Sequence, residues 1–132
     1  MRKYYLFNLK NKDLKPSKIY NILEELFYLN KNKYKYGLNI FNNICSPFKK
    51  NEILVFLSSK YKINGNLIKI DDLEKTTIEI KNCLIIIECN QNTSEIFKYL
   101  NSLEKNIFVC DFKNKDYFYL NDFLRLNFKI LT

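Results

Sequence analysis

The sequence has 132 residues, 47% of them hydrophobic, and a formal net charge of +8. This length and composition are typical of one globular domain and exclude a disordered chain, and no apolar run approaches the ~20 residues that span a bilayer. The positive charge would suit an anionic partner, but the lysines gather into no single basic run, so we do not expect nucleic-acid binding.

The first third of the chain predicts a strand followed by a helix. Lys3 to Leu9 is rich in aromatic residues with partial alternation, which indicates a strand. Pro16 suits the first turn of a helix that runs from Ser17 to Leu29. Its apolar stripe consists of Ile19, Ile22, Leu23, Leu26 and Leu29. Tyr20 and Phe27 fall on a different face.

A second, shorter helix is predicted from Tyr36 to Cys45, and Pro47 ends it because the residue before a proline avoids the helical region. Its periodicity places four residues toward the core, namely Leu38, Phe41, Ile44 and Cys45. Three others share the opposite side, namely Tyr36, Ile40 and Asn43.

The middle of the chain is less clear. Glu52 to Tyr61 fits a helix, although Ile53 to Leu57 also fits a strand; we favour the helix. Asn64-Gly65 indicates a turn, and Leu67 to Ile70 indicates a short strand.

The segments Thr77 to Ile80 and Leu84 to Glu88 are β-branched and predict a hairpin around a turn at Lys81-Asn82. The second segment is apolar on both faces, which fits a central strand covered on both sides. The first alternates, so we expect it to be half-exposed.

The last third predicts a capped helix and two strands. Asn92 and Glu95 form a capping-box pattern at the start of a helix that ends at Glu104. Its buried stripe is Ile96, Phe97, Leu100 and Leu103. A strand from Ile107 to Phe112, a turn from Lys113 to Asp116 and a strand from Tyr117 to Leu120 follow. Residues 122–132 are apolar and aromatic, and fit a short helix or a strand.

These elements together predict an α/β fold, with an α+β variant possible. We expect a central mixed or antiparallel sheet with helices packed on it, and a single domain over residues 1–132.

Candidate chemistry is sparse. The sequence has no histidine, the commonest general base, and its two glycines allow no glycine-rich phosphate loop. Asp71-Asp72 could bind a cation, but an acidic pair in a loop is usually solvated. Glu88 could be buried with a raised pKa, but we favour a strand end that reaches solvent. Asp111 lies either at a sheet edge or in a hydrogen bond to the turn that follows it. We therefore expect no enzyme activity and no cofactor.

The four cysteines, Cys45, Cys83, Cys89 and Cys110, lie in apolar segments and form no close pair. Zinc sites use close pairs of cysteine or histidine. We therefore interpret the cysteines as buried free thiols and expect no metal.

The aromatic residues allow two interpretations. Tyr117, Phe118 and Tyr119 could stack on nucleic-acid bases, or Phe118 could pack inside while the two tyrosines cover the sheet; we favour packing. Off the helical stripes, Tyr20, Phe27, Tyr36 and Ile40 would mark a partner site only if they formed one patch. Burial under the C-terminal segment is the alternative.

The chain resembles SirA, the sporulation inhibitor of replication, in five places. The family shares the opening basic residues and tyrosine pair, the end of the first helix, and the proline after the second helix. It also shares the entry into the last long helix and the C-terminal block. The matching residues are Arg2-Lys3-Tyr4-Tyr5, Glu25-Leu26-Phe27, Pro47, Thr93-Ser94-Glu95-Ile96-Phe97, and Asp111-Phe112 with Lys115, Tyr117, Leu120 and Asn121.

The resemblance implies helices packed on a central sheet and a protein that binds the N-terminal domain of the replication initiator DnaA, which blocks initiation of DNA replication. The family's contacts lie at the start of the first helix and on the second helix. Aligned through Pro47, the second-helix pair falls on Ile40 and Asn43, where the family has Gln and Tyr. The family's two first-helix aromatics fall within Lys12 to Ser17, where Leu14 is the large apolar residue. The family's C-terminal Gly, Trp and Pro are replaced by Phe118, Tyr119 and Asp122.

We therefore predict a monomeric, cytoplasmic, SirA-like interaction domain with DnaA as partner, and neither a membrane nor a small-molecule substrate. The predicted partner-binding residues are Leu14, Ser17, Tyr36, Ile40 and Asn43. The main alternative is a basic nucleic-acid-binding α/β module. Against that alternative, Lys, Asn, Ile, Phe and Tyr share A/T-rich codons, so a biased genome would raise lysine everywhere.

Overall fold

The computed structural model describes residues 2–11, 14–29, 34–59, 63–64, 67–70, 76–89 and 94–124, with the backbone alone at 34–36, 63–64, 67–70 and 94–95. The elements in these ranges are β1 (Arg2–Asn8), α1 (Pro16–Phe27), α2 (Tyr34–Ile44), α3 (Lys50–Ser58), β2 (Ile63–Asn64), β3 (Leu67–Ile70), β4 (Thr76–Ile80), β5 (Leu84–Cys89), α4 (Ser94–Leu103), β6 (Ile107–Asp111), β7 (Asp116–Tyr119) and a final helical turn, α5 (120–124).

The strands form one seven-stranded sheet in the order β2-β3-β4-β5-β1-β6-β7. Every neighbouring pair is antiparallel. The predicted fold class is confirmed in its α+β form. The apolar strand β5 lies between β4 and β1, as the prediction of a central strand requires, and Ile80 pairs with Ile85 across the predicted hairpin.

The register sorts the strand residues into two faces. Leu6 pairs with Ile85 and with Val109, so these side chains share one face. On this first face they pack with α3 and α4, whose buried residues include Ile53, Leu57, Ile96, Phe97 and Leu100. The alternation at β4 is also as predicted, since Ile78 and Ile80 are buried while Thr77 and Glu79 are partly exposed.

The second face is covered by α1 and α2. Phe7 pairs with Leu84 and with Phe108, and this row of side chains packs under the two helices. Hydrogen bonds hold the end of α2 against the end of β1. Lys10 donates its backbone N–H to the Ile44 carbonyl (2.9 Å), and Ser46 donates to the Asn8 carbonyl (2.7 Å). The side-chain amide of Asn8 reaches the Pro47 carbonyl at 3.1 Å.

The element predictions compare closely with the structure. The ambiguous segment after Pro47 is helical, as favoured, while the strand β2 was not predicted. The strand Leu67–Ile70 is confirmed. Asn92, Gly65 and Asp71-Asp72 lie outside the described residues. The C-terminal segment is helical over 120–124, and its partly buried Phe123 and Leu124 pack on the first face.

Two predicted orientations are wrong. Tyr20 was expected to point away from the core but is buried among aromatic residues of the second face. Because α1 lies on a broad aromatic surface, the side of α1 that is buried is wider than its row of aliphatic residues. Leu38, expected in the core, is 42% exposed. Its neighbour Gly37 is buried instead, and a Cβ there would press on the Leu29 side chain. α2 thus approaches α1 through its glycine, which turns Leu38 outward.

None of the helices within the described ranges has the length and apolar character that crossing a membrane requires.

Candidate protein-binding surface

The helices α1 and α2 form an antiparallel pair whose outer sides we call the helix-pair surface. α2 ends beside Lys10, which leads into α1, and Gly37 near the start of α2 lies beside Leu26 and Leu29 at the end of α1. The pair therefore has a Leu14 end and a Phe27 end. The start of α1 and the end of α2 both lie at the Leu14 end.

The two predicted contact residues of the first helix lie at the Leu14 end. Leu14 is 37% exposed, and its carbonyl accepts a hydrogen bond from the Tyr119 hydroxyl at 3.4 Å. Ser17 is exposed in the first turn of α1, where Pro16 occupies the first helical position. Tyr119 anchors the backbone here, so the Leu14 side chain is presented from a fixed position.

The predicted residues of the second helix spread along α2. Asn43 is exposed in its last turn, close to the Leu14 end, and Ile40 is partly buried one turn before it. Tyr36 lies in α2 about 10 Å from Asn43 along the axis, at the rise of an α-helix; its side chain is outside the described residues. The structure thus brings Leu14, Ser17 and Asn43 to one end, and places Tyr36 toward the other.

Tyr20 belongs to the interior beneath this surface. Its ring stacks on Tyr117 with centroids 4.5 Å apart and on Phe112 at 5.8 Å. Its hydroxyl donates to a carboxylate oxygen of Glu24 at 2.8 Å. Burial, together with this carboxylate, raises the pKa of Tyr20. Because Tyr20 is buried, it cannot contact a partner as part of the predicted patch.

Phe27 remains exposed and marks the other end of the pair. Its ring stacks on Phe112 at 4.4 Å and meets Tyr5 edge-on at 5.0 Å, yet 44% of the residue is exposed. Tyr28, which is 65% exposed, packs edge-on against it at 4.9 Å. These rings form an exposed aromatic patch at the Phe27 end, which the periodicity of α1 predicted only for Phe27.

An ion pair joins the first and last strands on the first face of the sheet. The Nε and Nη2 atoms of Arg2 each lie 3.0 Å from Oδ2 of Asp111, and Nη2 lies 3.2 Å from Oδ2 of Asp116. Asn114 donates to the Asp111 carboxylate from its side-chain amide (2.7 Å) and its backbone (3.3 Å). The Asp111 side chain is buried, and these partners satisfy it.

This geometry decides between the two roles considered for Asp111. Burial alone would raise the pKa of Asp111, but the hydrogen bonds from Asn114 and Arg2 outweigh burial and hold the pKa below its ordinary value. A carboxylate kept ionised by a turn and an arginine acts as a structural acceptor. The interpretation as a hydrogen bond to the following turn is confirmed.

Other residues that carry the SirA resemblance also have structural contacts. Lys115 adopts a positive φ of 53° in the turn between β6 and β7. Leu120 is buried in the core of the first face, and the Asn121 side chain accepts a hydrogen bond from the Asn101 amide at 3.4 Å. The C-terminal block of the resemblance therefore builds a turn, an ion pair and part of the core.

All four cysteines are buried, as predicted. Burial raises the pKa of the Cys45 thiol to about 12, and it raises the pKa of Cys110 as well. The part of the chain that the structure describes contains no group of three or more histidine, cysteine or acidic residues that could hold a metal ion. Glu88 is partly exposed on β5.

No protein-family model matches the sequence. Over 80 residues the chain is 30% identical to Hemocyanin II of Limulus polyphemus, a stretch that covers 61% of this chain and 13% of the hemocyanin. The matched stretch is thus a small part of that much longer protein, and at this coverage the similarity assigns no family.

Proposed function

We propose that this chain is a SirA-like interaction domain of the cytoplasm that binds the N-terminal domain of DnaA and so blocks initiation of DNA replication. The observation that carries the proposal is that Leu14, Ser17 and Asn43 lie at the same end of the helix pair. The resemblance assigns partner contacts to these two stretches of chain, which lie apart in the sequence. An inhibitor that works by occupancy needs them on one accessible surface.

The chemistry of this surface suits a protein partner. Leu14 offers exposed apolar area and Ile40 a partly buried aliphatic side chain, while Asn39, Asn42 and Asn43 add exposed amides on α2. An apolar centre with a polar rim is the usual composition of a protein–protein interface. A stable interface buries about 800 Å² on each partner, so the contact must extend over both helices.

Binding by occupancy requires no catalytic group, which is consistent with the structural role of Asp111. The C-terminal block of the resemblance supports the shared fold, and the helix-pair surface supports the shared partner. These two parts of the proposal rest on different residues.

The test is titration calorimetry of the purified chain with the isolated N-terminal domain of the host DnaA at physiological salt. We expect one-to-one binding that Ile40→Arg and Asn43→Arg weaken by at least about tenfold, or ~1.4 kcal/mol. Asn51→Arg is the matched control, because Asn51 is an exposed asparagine on α3, which packs on the opposite face of the sheet.

Three results would count against the proposal. The first is no binding at tens of micromolar, which would leave a fold of this type with another partner. The second is equal weakening by Asn51→Arg, which would show that added charge rather than position is responsible. The third is tight binding to nucleic acid with a steep salt dependence, which would favour the basic nucleic-acid-binding module.

A further inference from the structure

A cavity of about 370 Å³ lies between the helix pair and the second face of the sheet. Its floor includes Tyr5 of β1 and Ile86 of β5, and its walls include Leu26 of α1 and Phe41 of α2. This volume lies within the range of roughly 300–1,000 Å³ that is usual for small-molecule pockets. We call it the sheet cavity.

The packing of α2 explains why the cavity exists. Because α2 approaches α1 through Gly37, the two helices stay together over one part of the sheet. The β5 side chains on the second face lie beside the helix pair and are only partly buried. Ile86, one of them, therefore forms the floor of an open space. The Phe7 ring of β1 packs edge-on against Phe41 of α2 at 6.0 Å, and the Tyr5 ring of β1 packs edge-on against Phe27 of α1 at 5.0 Å. Aromatic contacts thus support both helices.

Lys81 brings a positive charge to the cavity. Among the described residues that line it, Lys81 alone carries a charge, and the others are aliphatic or aromatic. The Lys81 ammonium lies 3.9 Å from a Glu79 carboxylate oxygen, with 55% and 43% of the two side chains exposed. An ion pair this long and this exposed contributes little, so the ammonium can accept a second anion.

We propose that the sheet cavity binds an anionic amphiphile: a carboxylate with an unbranched alkyl chain of medium length. The alkyl chain lies on Ile86 and Leu26, and the carboxylate pairs with Lys81 at the mouth. Apolar walls favour the chain because its burial removes apolar surface from water, and the lysine selects the charge. The proposal does not depend on DnaA binding, since none of the predicted contact residues whose side chains are described (Leu14, Ser17, Ile40 and Asn43) lines the cavity.

The test is titration calorimetry of the full chain with hexanoate, octanoate and decanoate, each below its micelle concentration. Each added pair of methylenes should strengthen binding by roughly fifteenfold, at about fourfold for each methylene, until the cavity is full. Nonyltrimethylammonium, which has the same nine-carbon tail as decanoate and a cationic head, should bind at least about fivefold more weakly than decanoate.

Variants separate the tail from the head. Lys81→Met should weaken decanoate by about fivefold and abolish the preference over nonyltrimethylammonium. The matched control is Lys98→Met, an exposed lysine on α4 at the opposite face of the sheet, which should change neither. Ile86→Trp fills the cavity from the sheet and should abolish binding of both probes. Leu26→Trp fills it from α1 and replaces that variant if Ile86→Trp does not fold.

Equal binding of decanoate and nonyltrimethylammonium would overturn the assignment of an anionic ligand. The same loss of decanoate in Lys98→Met as in Lys81→Met would show an effect of net charge alone. If binding survives in a folded Ile86→Trp or Leu26→Trp protein, the ligand does not lie in the cavity. If no carboxylate binds to the unmodified chain, the proposal is refuted.

Discussion

The ion pair between Arg2 and Asp111 leads to the sharpest prediction, because its partners and burial are all defined. In Arg2→Met the strand keeps a side chain of similar length, but the buried Asp111 carboxylate loses both guanidinium contacts at 3.0 Å. A hydrogen bond to a charged group contributes about 1.5–3 kcal/mol. Arg2 is itself 43% exposed, so screening by solvent favours the lower end, about 1.5 kcal/mol.

The assay is urea unfolding followed by circular dichroism, at pH 7 and at a series of lower pH values. In thermal unfolding of a chain of this length, the same loss of about 1.5 kcal/mol corresponds to a fall in Tm of roughly 4–9 °C. Lys105→Met, which removes a charge from an exposed position in the loop before β6, is the control and should change the free energy of unfolding by less than about 0.5 kcal/mol.

The effect of Arg2→Met on the free energy of unfolding should depend on pH. The folded protein holds the pKa of Asp111 below its ordinary value. The resulting stability is present above the unfolded pKa, about 4, and is lost as the pH falls through the folded value. The difference between the unmodified chain and Arg2→Met should therefore shrink below about pH 4. A difference that stays constant at acid pH, or a loss at pH 7 no larger than that of the control, would refute the assignment of Arg2 as the partner that stabilises ionised Asp111.

Three further predictions concern packing. Phe97→Ala should cost about 3–5 kcal/mol of unfolding free energy, since Phe97 is fully buried. Val55→Ala, at a position that is 70% exposed, should cost almost nothing in the same denaturation assay. Gly37→Ala should be nearly neutral in Tm, because the Leu29 side-chain tip can move and alanine favours helix by about 1 kcal/mol; Gly37→Leu should lose about 1–3 kcal/mol. The four buried cysteines should react with a thiol reagent at pH 8 only as fast as the protein unfolds, and rapid labelling of native protein would contradict their burial.

Local patterns predicted most of the elements because each pattern is set by residues close in sequence. The alternation at β4 and the fully apolar β5 indicate their faces without any knowledge of the fold. The orientation of a helix depends on what lies beneath it. Tyr20 is buried because Phe112 and Tyr117, about 90 residues later in the sequence, provide an aromatic surface for it.

The candidate sites were predictable to different degrees. Ile40 and Asn43 were placed away from the core by helical periodicity, and the structure leaves Asn43 exposed and Ile40 partly so. The sheet cavity gave no signal in the sequence, because its lining comes from β1, α1, α2, β5 and the loop before β5. We attribute it to the close packing of α2 against α1, where Gly37 lies beside Leu26 and Leu29.

The residues that support the fold and those proposed to bind DnaA lie on opposite faces of the sheet. Arg2 and Asp111 act on the first face, and the helix pair that carries Asn43 covers the second. This separation predicts that Arg2→Met lowers Tm but leaves the DnaA affinity of the folded protein unchanged at a temperature well below unfolding. Asn43→Arg should do the reverse. Measuring both variants in both assays distinguishes a divergent interface on a maintained scaffold from a surface whose shape depends on the ion pair: in the second case, Arg2→Met would weaken binding while the protein is still fully folded.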